Sequence, residues 1–244
     1  MRIAETQAYW RQINSKRTKY FKLYARKWAR FYNAQMKILR EDKTAEIFKV
    51  EDVSKLFEEM YREVGLDFAK YGYAAVITKA ESYLEDYWLN QMSEYALSKG
   101  VSSIKSISAT GKEAASEIIR KLTAEAIEQG YSIDELARYI DDNLWDEWKI
   151  VSKYSAERIA RTEIIAASNY GSDQGARSTG LPLVKTWLTA MDGRERDSHA
   201  ALNNETVTIN EKFSNGLMFP GDKTSGSTEE IINCRCSVFQ RVLR

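Results

Sequence analysis

The only histidine of this 244-residue chain, His199, and both of its cysteines, Cys234 and Cys236, fall in the last 46 residues. Imidazole and thiolate suit tetrahedral zinc, and Asp192 or a water could complete such a site. The Cys-x-Cys spacing is tighter than the usual ligand pairs, which weakens that reading. A second reading has His199 hydrogen-bonded across a small domain, with the cysteines as small buried hydrophobes on one strand face. A third joins His199 to Arg196, Arg235 and Asp192, the parts of a metal-free ribonuclease or other phosphoryl-transfer site: a proton carrier with guanidinium clamps. Packing ranks first of the three, zinc second and catalysis third. The expectation is therefore no enzyme, with zinc the one cofactor in view. No Walker loop, dinucleotide fingerprint or serine-nucleophile elbow occurs.

These residues must be positioned by the elements around them. The prolines are Pro182 and Pro220, so the first 181 residues contain none, which points to helices throughout. Val50, Val53, Phe57, Met60 and Val64 share one helical face. Tyr73, Val76, Ala80, Tyr83 and Tyr87 form a second stripe. A small-residue stretch, Ser98 to Gly111, reads as a linker. A helix through Ala115, Ile118, Leu122 and Ala126 closes at Gly130, and Ser132 with Glu135 makes a capping box for a short helix through Ile140. A further helix covers 152–169. Beyond Pro182 the texture changes to strand (184–188), short helix (194–202), strand (205–209), polar loop (210–228) and closing strand (234–242). The expected fold is mainly α through the N-terminal (1–110) and middle (111–180) regions, with a small α+β domain at 181–244.

Charge is unevenly spread. Residues 1–40 hold eleven lysines and arginines against one acid, whereas residues 41–180 are strongly acidic. Arg11, Lys16, Arg17, Lys19, Lys22, Arg26, Lys27 and Arg30 alternate with Tyr20, Tyr24, Trp28 and Phe31, which lie along one face of an amphipathic helix. Such an arm can bind double-stranded DNA non-specifically through phosphates. It can also dock through its aromatics on an acidic surface, whether of a partner or of the chain's own middle region. Docking is the favoured of the two. Apolar content of 43 % and charged content of 29 % exclude intrinsic disorder, and no apolar run is long enough to span a bilayer. Without a signal-peptide pattern, the expected compartment is the cytosol.

One family accounts for the C-terminal residues together. Arg161-Thr162-Glu163, Lys185-x-Trp187, Asp192-Gly193-Arg194-x-Arg196-x-x-His199, Phe219-Pro220-Gly221-Asp222 and Glu230-x-x-Asn233-Cys234-Arg235-Cys236 follow in the order of the phage Mu F-like head morphogenesis domain, which this segment resembles. The resemblance covers 152–244, extends loosely to 130–148, and leaves 1–110 unmatched. It implies a minor head protein of a tailed phage, inside the procapsid or virion and in the host cytoplasm during assembly. Portal, inner capsid or scaffold would be its partners, with a role in DNA packaging or ejection. A phage-encoded nuclease or toxin-like enzyme using His199 and its arginines is the alternative. Asn203-Asn204 stands where the family commonly has an Asx-Gly turn, and Lys223 where proline is frequent. Trp187 is expected in the small domain's core, Gly221 and Asn233 in turns, and Glu163 in an ion pair with a tail arginine.

Overall fold

The computed structural model describes residues 3–77, 83–225 and 227–243. Five long helices come first: α1 (Ile3–Glu41), α2 (Val50–Ala74), α3 (Tyr83–Ser98), α4 (Val101–Glu128) and α5 (Ile133–Arg177). A small open sheet follows, built from β1 (Leu183–Leu188), β2 (Thr206–Thr208) and β3 (Ser237–Val242), with short helices α6 (Asp197–Ala201) and α7 (Thr228–Ile231) in its connections. The sheet is antiparallel in the order β2-β1-β3, with Leu183 opposite Val242 and Val184 opposite Thr208.

α5 is the spine. The expected capping box opens it: Ser132 Oγ accepts from the Glu135 N–H, and the Glu135 carboxylate accepts from the Ser132 N–H. The two helices expected at 132–140 and 152–169 are one 45-residue element, because no breaker interrupts them and Leu144, Trp148, Ser152 and Ala156 are buried in sequence. α2 crosses α5 at near-backbone contact. A Cβ on Gly72 would meet the Ser172 carbonyl oxygen at 2.2 Å, and one on Gly175 the Ala69 carbonyl oxygen at 1.9 Å. Only glycine permits that approach.

Two sequence expectations change. The stretch 98–111 is not a linker but the turn into α4 and its first three turns; Gly111 is small because Phe48 lies where a side chain would be. The first apolar stripe is buried at Val53, Phe57, Met60 and Val64, but the second does not hold as one face. α2 ends at Ala74, α3 starts at Tyr83, Tyr87 is exposed, and Ala80 lies outside the described residues. α1 docks through its aromatics on the chain's own helices, the favoured of its two readings. Tyr24, Trp28, Tyr32 and Met36 are fully enclosed, and Tyr32 stacks on Trp148 of α5 at 5.9 Å. Its cations meet the acidic helices: Lys16 pairs with Asp67, Lys27 with Glu59 (2.6 Å) and Arg40 with Asp141 (2.7 Å). Solvent-screened pairs of this kind add little, so aromatic burial dominates the docking. Arg11, Lys19, Lys22, Arg26 and Arg30 remain on the surface, whereas Arg17 is only 4 % exposed.

Candidate metal centre

His199 sits on α6, while Cys234 and Cys236 lie on the segment that enters β3. All three are buried, and their ligand atoms lie within 4.8 Å of one another. His199 Nδ1 is 3.6 Å from Cys234 Sγ and 3.5 Å from Cys236 Sγ. Its other nitrogen, Nε2, is 2.8 Å from Glu230 Oε2. A proton on Nε2, donated to Glu230, leaves the Nδ1 lone pair facing the sulfurs, the tautomer that a metal ligand requires. Zinc bonds of about 2.3 Å to sulfur and about 2.05 Å to nitrogen, at tetrahedral angles, put N and S about 3.6 Å apart. One imidazole proton can be directed at a single sulfur, whereas an ion accounts for two equal separations. The cluster is therefore compatible with a metal ion such as zinc.

Electrostatics agree with that chemistry. The Cys236 thiol and the His199 ring hold Cys234 well below the usual thiol range despite burial. Cys236 is pushed up, first by donating to Cys234 and then by burial. Burial acts to lower the His199 value, but Cys234 and Glu230 together raise it. Arg17 is the nearby fixed cation. Burial brings its guanidinium down to about 10, with Cys234 acting in the opposite direction, so it remains charged at neutral pH.

The backbone carrying the cysteines is gripped from several elements. Arg17 of α1 donates to the Cys236 carbonyl (3.1 Å) and to Ser237 Oγ (2.6 Å), and also to Asn169 Oδ1 (2.7 Å) of α5. Asn169 Nδ2 donates to the carbonyls of Pro220 (2.8 Å) and Cys236 (3.2 Å). Arg161 donates to Asn233 Oδ1 (3.2 Å), the Asn233 N–H donates to Thr162 Oγ1 (3.1 Å), and Arg196 donates to the Ile232 carbonyl. Asn233 turns the chain at a φ of 56°, and Asn204 takes the left-handed position, at 71°, usual for glycine. Trp187 is fully buried, with its ring edge-on to His199 at 5.4 Å. Gly221, at a φ of 85°, brings the loop after Pro220 onto Ala166 of α5.

Other expected site residues are placed elsewhere. Asp192 is not in the cluster; its carboxylate is taken by Arg194 and Arg235. Arg196 donates to the Ile232 carbonyl, and His199 lies with Nε2 against Glu230 and Nδ1 between the two sulfurs. Glu163 pairs not with an arginine but with Lys223 (3.0 Å), and it also accepts from Tyr61 (2.8 Å). Glu163 and Lys223 line a 440 Å³ cleft bounded by α4, α5 and α7. Lys223, at the family's proline position, thereby ties the loop to the helices. Sequence reasoning assigned no role to Glu230 and misread Arg17 as a surface cation. Glu230 carried a detectable signal, standing three residues before Asn233 in the motif.

The phage Mu protein F like family model matches residues 117–239, half of the chain. A curated relative, the NAD(+)--arginine ADP-ribosyltransferase EFV of Enterococcus faecalis, is 30 % identical over 118 residues. That match takes in 47 % of this chain, which spans only 23 % of the relative's length. No solved structure matches. Among the described residues, no helix is long and apolar enough to cross a membrane. The expectation of no enzymatic activity is corrected on two grounds: the metal-binding geometry of His199, Cys234 and Cys236, and a relative that is by name a transferase. Since the family's model covers half of the sequence and all three of those residues, the chain belongs to the phage Mu protein F like family.

Proposed function

We propose that this chain is a phage-encoded enzyme of toxin type, with a zinc centre held by His199, Cys234 and Cys236 and with neighbouring arginines facing the substrate. The observation that carries this reading is the equal approach of both sulfurs to Nδ1, at 3.5 and 3.6 Å. Three protein ligands leave one position open, the pattern of catalytic zinc, and the ion would bring a water's pKa toward neutrality. Glu230 keeps the His199 ring in its ligand tautomer, and Arg17 offsets the charge of the thiolates. The cavity beside the cluster measures about 20 Å³, room for one water, and Arg194, Arg196 and Arg235 line it. A substrate would thus meet the rim, where guanidiniums match phosphate geometry. The relative's name specifies NAD(+) and arginine, which favours a nucleotide or nucleic-acid substrate here.

The experiment is turnover of labelled RNA, DNA and NAD(+) by the metal-loaded full chain, beside His199→Ala and Cys234→Ser. Turnover by the wild type that both variants lose is the expected result. Metal-loaded wild type that acts on none of the three would overturn the reading.

Family membership favours a second role, a minor head protein carried in the phage head with portal or inner capsid as partners. Mass spectrometry of purified procapsids and virions tests it, since a protein absent from both has no head role. Exposed Arg11, Lys19, Lys22, Arg26 and Arg30 would then serve DNA or an acidic partner.

A further inference from the structure

The cavity at the His199, Cys234 and Cys236 cluster has an acidic wall. Glu195 lines it, and Glu195 Oε2 is buried with no hydrogen-bond partner. A buried carboxylate oxygen without a donor is costly, so native proteins rarely leave one without a purpose. Three arginines line the same cavity, yet their contacts lie elsewhere: Arg194 and Arg235 with Asp192, and Arg196 with the Ile232 carbonyl. Glu195 is not within the 4.8 Å group of ligand atoms, so it does not reach an ion as the two sulfurs and Nδ1 do. One water fits the 20 Å³ between them.

We infer that Glu195 completes the metal site through that water, accepting its hydrogen bond at Oε2 while the water fills the fourth position on the ion. This rests on the zinc reading above. It gives Glu195 a positioning role: the carboxylate fixes where the water sits and on which side of the ion it is presented. The water in turn supplies the donor that Oε2 lacks. Outer-sphere partners of this kind typically tune metal affinity by about 10–100-fold.

Titration of the full chain with Co²⁺ tests the assignment, since thiolate charge-transfer absorption reports the cysteines and the ligand-field bands report the fourth position. Wild type, Glu195→Leu and Glu195→Gln are compared. Glu195→Leu is expected to keep the thiolate band, bind Co²⁺ about 10–100-fold more weakly and show shifted ligand-field bands, with Glu195→Gln in between. Unchanged affinity and unchanged ligand-field bands in Glu195→Leu would overturn the role of Glu195 and leave the metal site standing. Wild type without a thiolate band would overturn the metal site itself. Should Glu195→Leu not fold, Glu195→Gln against wild type carries the same comparison.

Discussion

Replacing Arg17 with methionine separates a core arginine from a surface arm. Methionine retains much of the apolar stem but none of the donors. Arg17 donates to Ser168 Oγ, Asn169 Oδ1, the Cys236 carbonyl and Ser237 Oγ, all buried, over distances of 2.6–3.1 Å. Asn169 Oδ1 retains the Val238 N–H, and the Cys236 carbonyl retains Asn169 Nδ2. The two serine hydroxyls lose a donor outright. Hydrogen bonds to a charged group contribute about 1.5–3 kcal/mol each, offset in part by the cost of burying a guanidinium. The net loss is about 3–4 kcal/mol. In a chain of this size that corresponds to a fall of about 10 °C in Tm. Thermal and urea unfolding of Arg17→Met are to be measured beside Lys22→Met, whose exposed cation should cost no more than about 0.5 kcal/mol. An Arg17→Met protein within 1 kcal/mol of wild type would refute the reasoning and return α1 to the role of a surface arm.

Zinc should bind at about one ion per chain, and a chelator should lower the Tm because binding free energy at such a site is also folding free energy; metal-free protein of unaltered stability would exclude the site. Gly175→Ala should cost about 1–3 kcal/mol by forcing α2 and α5 apart, since its methyl would meet the Ala69 carbonyl oxygen at 1.9 Å; a variant as stable as wild type in urea would show that the helices separate freely. Lys185 on β1 is wholly buried, and its ammonium is lowered to about 8, chiefly by burial. The unfolded chain, with an ordinary lysine, therefore holds more protons between about pH 8 and 10.5, and this residue makes stability rise with pH across that window. Lys185→Met should remove the rise, and unfolding curves for the two proteins that stay parallel from pH 7 to 10 would contradict it.

What sequence by itself determined was local. The Ser132–Glu135 box, the left-handed residue at Gly130, the turn at Gly221 and the positions of the three strands along the chain all follow from residue type and short spacing. Each depends on a few bonds within reach of its own segment, and those bonds act the same wherever the segment lies. Tertiary structure decided what covers each face. An amphipathic basic helix has the same pattern whether its aromatics meet DNA, a partner or α5, and only the fold shows Tyr32 on Trp148 and Arg17 beneath the cysteine segment. Small residues read alike in a linker and at a close helix crossing, so 98–111 was misread, and the approach of Gly72 and Gly175 to α5 and α2 went unseen. Glu230 and Glu195 acquire meaning only beside His199, across loops that no periodicity describes. Spacing along a chain encodes a helix or a strand, but the distance between Nδ1 and two sulfurs is set by elements far apart in sequence, and only their packing fixes it.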